Sequence, residues 1–199
     1  GVIPIDVDKM KIDFLAVPGH KSLFGPPGVG SLYVRNPGII KPLKEGGTGT
    51  NSLSTTQPEI MPDYLEAGTL NTPGIMGLAA GVEFIQNEGL KNIHQKEMIL
   101  LKKLIDGLTI LPKIKVYGKK DIKNRTAVTA FNLEGYSSNQ LAFKLQHEQN
   151  IQLRGGLHCA PLLHKFLATD KQGMLRISPG YFNTEAEVNK FLNILESII

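Results

Sequence analysis

The 199 residues contain a single cysteine, Cys159. One cysteine cannot close an internal disulfide, so a disulfide-stapled scaffold is excluded, and such usage fits a reducing compartment, the cytoplasm. No apolar run reaches the roughly 18 residues that a membrane helix needs, so no membrane span is expected. Gly1–Asp6 lacks a charged start leading into an apolar core, so no signal peptide is expected either. The net charge of +4 is spread over scattered lysines. Without a dense Lys/Arg run and interleaved aromatics, a nucleic-acid partner is not expected. There is no internal repeat, and no metal-ligand set is read. What remains, 41% hydrophobic and 20% charged, is an ordinary globular composition, enough for one large domain or two small ones.

The first half is rich in turns. Phe14-Leu15-Ala16-Val17 reads as a buried strand, Gly19 to Gly30 as a Gly/Pro turn region, and Ser31-Leu32-Tyr33-Val34 as a second strand. Gly46 to Thr56, rich in Gly, Ser and Thr, reads as a mobile loop. Thr72-Pro73-Gly74 opens a helical pattern through Ile75, Ala79, Val82 and Ile85. A second helix is predicted from Leu90 to Leu108, with Leu90, Ile93, Leu101, Leu104 and Leu108 on one stripe and Glu97 its polar exception. Short strands and helices then alternate. Strands are predicted at Ile114–Tyr117, Ala127–Leu133, Asn150–Arg154 and Gly173–Ser178. Capping boxes at Ser137–Gln140 and Thr184–Glu187 open two further helices. The expected division is 1–85 and 86–199.

Three places carry chemistry. Lys21 follows an apolar run and begins a Gly/Pro turn, where the ends of strands in open α/β sheets bind ligands. A lysine there can form an imine with a carbonyl compound if its ammonium pKa is lowered, which frees the amine; taken alone, it is ordinarily a solvated surface residue. Cys159 lies in the loop Arg154-Gly155-Gly156-Leu157-His158-Cys159, and a lone cysteine is more often a small buried hydrophobe than a nucleophile. The flanking glycines suggest a flexible, exposed loop, and the adjacent His158 and nearby Arg154 suggest an activated thiol. Arg176 lies on the polar side of Leu175 and Ile177. It can grip a carboxylate with two parallel hydrogen bonds or form a surface ion pair. By the same alternation Arg154 points away from Ile151 and Leu153. His94, His147 and His164 read as surface residues.

Gly19-His20-Lys21-Ser22-Leu23-Phe24-Gly25-Pro26-Pro27-Gly28-Val29-Gly30-Ser31-Leu32-Tyr33 is similar to the cofactor-lysine segment of the class V aminotransferase and cysteine desulfurase family, with Pro18 where the family often has Ser. Glu66-Ala67-Gly68-Thr69-Leu70-Asn71 is a second match. The segment from Arg154 to Ala160 resembles the cysteine motif of the group II cysteine desulfurases and selenocysteine lyases, with Leu157 in place of a further His. Arg176-Ile177-Ser178 with Asn183-Thr184 is the last. The resemblance implies an α/β fold, the carboxy-terminal part of a fold-type I pyridoxal-phosphate transferase: a remnant of the large domain plus a small α/β domain. It implies that Lys21 carries pyridoxal 5'-phosphate covalently. His20 would contact the phosphate, and Thr69 would reach the phosphate of a partner subunit in a homodimer. Arg176 would bind the α-carboxylate of L-cysteine, with Arg154 at the same site. Cys159 would accept sulfur as a persulfide, releasing alanine and passing sulfur to an acceptor protein, often for iron–sulfur assembly.

The family's ring-nitrogen Asp, ring-stacking His and main phosphate loop lie upstream of its cofactor lysine, and no match to them is found here. The 199 residues alone are therefore expected to be inactive and to hold no Lys21-linked cofactor. Residues from Gly81 onward are expected to fold best, with Gly1–Ala80 left partly exposed, domain-swapped or held by another copy of the chain. An aminotransferase or other lyase of the same fold, with Cys159 incidental, is the alternative, as is a non-catalytic folded fragment.

Overall fold

The computed structural model describes residues 1–50 and 53–199. It divides into two compact units, Gly1–Leu90 and Lys91–Ile199.

The first unit opens with an antiparallel hairpin of β1 (Phe14–Pro18) and β2 (Gly30–Val34), in which Val17 faces Ser31 and Pro18 faces Gly30. Its long connection is the Gly/Pro region. Helix α1 (Thr72–Glu88) starts where the sequence places it: Asn71 caps it by accepting the Gly74 N–H at 3.2 Å, and Pro73 occupies the first turn, where its missing N–H costs nothing. Between hairpin and helix the backbone is irregular. Gln57 ties it together, accepting the Gly46 N–H and donating to the carbonyls of Asp63 and Glu66. The expected mobile loop falls partly here; its Asn51 and Ser52 lie outside the described residues.

The second unit is a three-stranded antiparallel sheet, β3 (Ile114–Tyr117), β4 (Thr129–Leu133) and β5 (Leu175–Ile177), with β4 in the centre. Four helices complete it: α2 (Leu90–Ile110), α3 (Ser138–Gln149), α4 (Pro161–Phe166) and α5 (Glu185–Ile198). Register decides which side of the sheet is apolar. Ile114 faces Leu133, Val116 faces Phe131, and Phe131 faces Leu175, so one face is apolar apart from the buried hydroxyl of Thr129 opposite Ile177. Against it gather Leu100, Leu104 and Leu108 of α2, Leu141 and Leu145 of α3, and Val188, Phe191 and Leu195 of α5, all buried. The other face carries Lys115, Tyr117, Ala130, Asn132 and Arg176 by the same alternation.

Three sequence expectations are corrected here. Asn150–Arg154 is not a strand: Asn150 closes α3 in the left-handed conformation, and only Arg154 pairs with β5. The strand expected over Gly173–Ser178 is shorter, because the Met174 N–H and the Gly173 carbonyl bond outside the ladder, to the Gly156 carbonyl and the Asn132 side chain. His164 is not a surface residue; it is 2% exposed, whereas His147 is exposed and His94 half-buried. No described helix is long and apolar enough to cross a membrane.

Candidate active site

In the first unit the lysine loop is built as a closed turn. The Gly19 N–H donates to the Val29 carbonyl at 2.9 Å, the Gly25 N–H to the Gly19 carbonyl at 2.9 Å, and the Phe24 N–H to the Lys21 carbonyl at 3.1 Å. Lys21 thus holds the first corner of a turn whose ends are tied together. The turn lies against α1. Phe24, at φ 58°, sets its ring edge-on to Phe84 with centroids 5.6 Å apart. Gly81 of α1 sits directly beneath; any side chain there would collide with the Leu23 carbonyl. Backbone position is therefore fixed while the side chains of His20 and Lys21 stay exposed. Lys21 joins no ion pair among the described residues.

The Gly68–Asn71 stretch meets the same loop. Val29 packs at Gly74, and Asn71 lies beside Gly28, so the two motifs of the first unit converge on the start of α1. Thr69 is exposed.

In the second unit the cysteine loop leaves the sheet edge and is pinned on both flanks. Arg154 and Arg176 exchange both backbone hydrogen bonds, at 3.3 and 2.8 Å. Residues paired in this way project to the same side, so the two guanidiniums share the polar face of the sheet. The Gly156 N–H donates to Ser138 Oγ at 3.1 Å, and Ser138, 2% exposed, donates in turn to the Gln172 carbonyl at 2.8 Å. Gly155 fits only because it lacks a side chain: a methyl group there would stand 2.7 Å from the Ser138 carbonyl oxygen. The Met174 N–H holds the Gly156 carbonyl at 3.1 Å, and the Ala160 N–H closes onto the Leu157 carbonyl at 2.9 Å. The flexible loop expected from the glycines is thus a held loop with an exposed thiol.

His158 and Cys159 sit in consecutive left-handed conformations, φ 52° and 59°. Each costs about 1–3 kcal/mol for a residue with a side chain, and such strain gathers at functional sites. Cys159 Sγ lies 3.6 Å from Arg154 Nη2. Neither Arg154 nor Arg176 meets a carboxylate among the described residues.

The neighbouring imidazole behaves otherwise than the sequence suggests. His158 Nε2 lies 2.9 Å from the Met174 carbonyl and so carries the hydrogen. Burial pushes its pKa below the ordinary histidine value, opposed by that bond and reinforced by the charges of Arg176, His164 and Arg154. His158 is a neutral spacer, and the cation at the sulfur is Arg154. Beneath it His164, centroid 5.8 Å from that of His158, bonds through Nδ1 to Thr169 Oγ1 at 3.0 Å. Ser138, His164 and Thr169 gave no separate signal in the sequence: Ser138 reads as part of a helix start, and a histidine one turn beyond Pro161 reads as solvated.

A family model, Aminotransferase class-V, matches residues 1–191. A cysteine desulfurase of Escherichia coli O157:H7 is 36% identical to the chain over 202 residues, 98% of this chain and 48% of that protein. Among solved structures, an apo cysteine desulfurase from Thermococcus onnurineus NA1 superposes with a TM-score of 0.80 at 34% identity, over 97% of this chain and 48% of that one. A cysteine desulfurase from Escherichia coli in an S-sulfonic acid form gives a TM-score of 0.84 at 30% identity, over 98% and 48%. The chain spans about half the length of the curated relatives it matches.

Proposed function

The chain belongs to the class V aminotransferase family, and from that premise we propose that its full-length protein is a pyridoxal-phosphate-dependent cysteine desulfurase. The observation that carries this reading is an exposed thiol on a pinned loop, with the Arg154 guanidinium at its sulfur and Arg176 at the position paired with Arg154 across the sheet. A transaminase needs a carboxylate-binding arginine; it has no use for a nucleophilic sulfur so placed.

The residues of the lysine loop fit the cofactor at two of its ends. Lys21 presents an exposed amine outside any described ion pair, which suits a carbonyl. His20 and Thr69 are exposed donors, and their side chains make no hydrogen bond among the described residues, which suits a phosphate. In this reading His20 serves the phosphate held in its own subunit and Thr69 that of the partner in a homodimer.

When bound, pyridoxal phosphate supplies an electron sink for bonds broken at the substrate's carbons. Lys21 holds the cofactor, and its amine, once freed by substrate, takes and returns the proton at Cα. Arg176 grips the carboxylate of L-cysteine, with Arg154 on the same face. Cys159, as thiolate, attacks the substrate sulfur: a sulfur–sulfur bond forms, the carbon–sulfur bond breaks, and a proton takes the place of sulfur on carbon. L-alanine leaves and a persulfide stays on Cys159, to be handed in the cytoplasm to an acceptor protein for iron–sulfur assembly.

The test is mass spectrometry of the full-length protein after L-cysteine. We expect Cys159 to gain the mass of one sulfur atom, and Lys21→Ala to abolish both that gain and the visible absorbance of lysine-bound cofactor. Turnover without any sulfur on Cys159 would identify an aminotransferase or another lyase of this fold instead.

A further inference from the structure

Arg154 and Arg176 project from paired positions onto the polar face of the sheet, and neither meets a carboxylate among the described residues. One substrate brings one carboxylate, and a single guanidinium satisfies it with two parallel hydrogen bonds. The second cation is in excess unless the reaction contains a second anion. It does: the sulfur of Cys159 is negative as the attacking thiolate, and the terminal sulfur is negative again once the persulfide has formed. Geometry separates the two arginines. Arg154 Nη2 lies 3.6 Å from Cys159 Sγ, whereas the Arg176 guanidinium makes no described hydrogen bond. Arg154 is exposed and Arg176 half-buried; desolvation strengthens a charged contact, which suits the half-buried arginine to carboxylate binding. His158, which the order of residues puts next to the sulfur, is committed through Nε2 to the Met174 carbonyl and supplies no charge.

We propose that the two arginines divide the anions: Arg154 holds the sulfur anion of Cys159, first as thiolate and then as persulfide, while Arg176 alone binds the substrate carboxylate. The persulfide half of this assignment rests on the desulfurase reading; the thiolate half does not.

The experiment compares Arg154→Ala, Arg154→Lys and Arg176→Ala in the full-length protein. The first measurement is the rate at which iodoacetamide alkylates Cys159 without substrate, followed by mass spectrometry at low and high salt. An exposed charge pair is modest and screened, so Arg154→Ala should slow alkylation about two- to fivefold at low salt, with the difference shrinking at high salt. Arg154→Lys should recover part of the rate, and Arg176→Ala should leave it unchanged. The second measurement is steady-state kinetics with L-cysteine: Arg154→Ala lowers kcat with little change in KM, and Arg176→Ala raises KM. Unchanged alkylation in Arg154→Ala, whatever its KM, overturns the proposal. A KM increase as large as that of Arg176→Ala also overturns it, by making Arg154 a carboxylate ligand. If the wild type forms no cysteine-dependent persulfide, the desulfurase reading falls, and the alkylation rates still decide whether Arg154 serves the thiolate.

Discussion

His158 illustrates how a neighbour in sequence can be the wrong neighbour in chemistry. Adjacency to Cys159 suggests an imidazolium that lowers the thiol's proton affinity. The left-handed turn at His158 instead sends its ring onto the Met174 carbonyl and into partial burial, where the neutral form is favoured. This has a consequence for stability with a definite sign. The folded-state pKa lies below the unfolded value of 6.5, so below that value the unfolded chain binds more protons than the folded one. Stability is therefore present above the unfolded value and is lost as pH falls through the window between the two. Denaturant melts of wild type and His158→Asn, taken at about pH 7.5 and about pH 5, should show the wild type losing more stability on acidification. Equal losses would mean that His158 titrates alike in both states. Glu97, raised mainly by burial on α2, pulls the other way and is common to both proteins.

At the scale of elements, the sequence was legible where a local pattern has one structural solution. Both capping boxes form as read. Thr184 Oγ1 accepts the Glu187 N–H at 3.2 Å while the Glu187 carboxylate accepts the Thr184 N–H at 2.8 Å, and Ser137 with Gln140 repeats the arrangement on α3. The stripe of α2 likewise buries Ile93, Leu101, Leu104 and Leu108. The alternation over Asn150–Arg154 was right about faces, since Ile151 and Leu153 pack on the core. It was wrong about the ladder, because a period of two reports where side chains point and says nothing of which backbone groups pair. Caps locate helices, and packing holds them. Thr184→Ala should cost about 1 kcal/mol, against about 2–5 kcal/mol for Leu195→Ala, whose side chain on the same helix is fully buried. Denaturant melts of the two variants check the order; a cap loss as large as the core loss would contradict it.

Across the whole molecule, burial is divided unequally. In the unit Gly1–Leu90 the buried positions among the described residues are Gly19, Gly74 and Gly81, none with a side chain to bury. Several of its large apolar residues face outward: Leu32, Ile39, Leu43, Leu53, Ile60 and Met76 are each more than half exposed. The unit Lys91–Ile199 holds the core around Leu104, Phe131, Leu141 and Leu195. Removing apolar surface from water is the main favourable term in folding, against a loss of chain entropy that every ordered residue incurs. The first unit meets that entropy with hairpin, turn and cap hydrogen bonds and little burial. The second meets it with a closed core. The residues proposed for the active site divide the same way, with His20, Lys21 and Thr69 in the unit that lacks a core and Arg154, Cys159 and Arg176 in the unit that has one. Hydrogen exchange on the 199-residue chain should therefore find the slow amides in α2, β4, α3 and α5, with the lysine loop and α1 exchanging orders of magnitude faster. The cysteine loop, tied to Ser138 and Met174, should exchange with the second unit. Protection of Lys21–Gly25 equal to that of β4 would show that the hairpin and α1 are stabilised by something other than buried side chains.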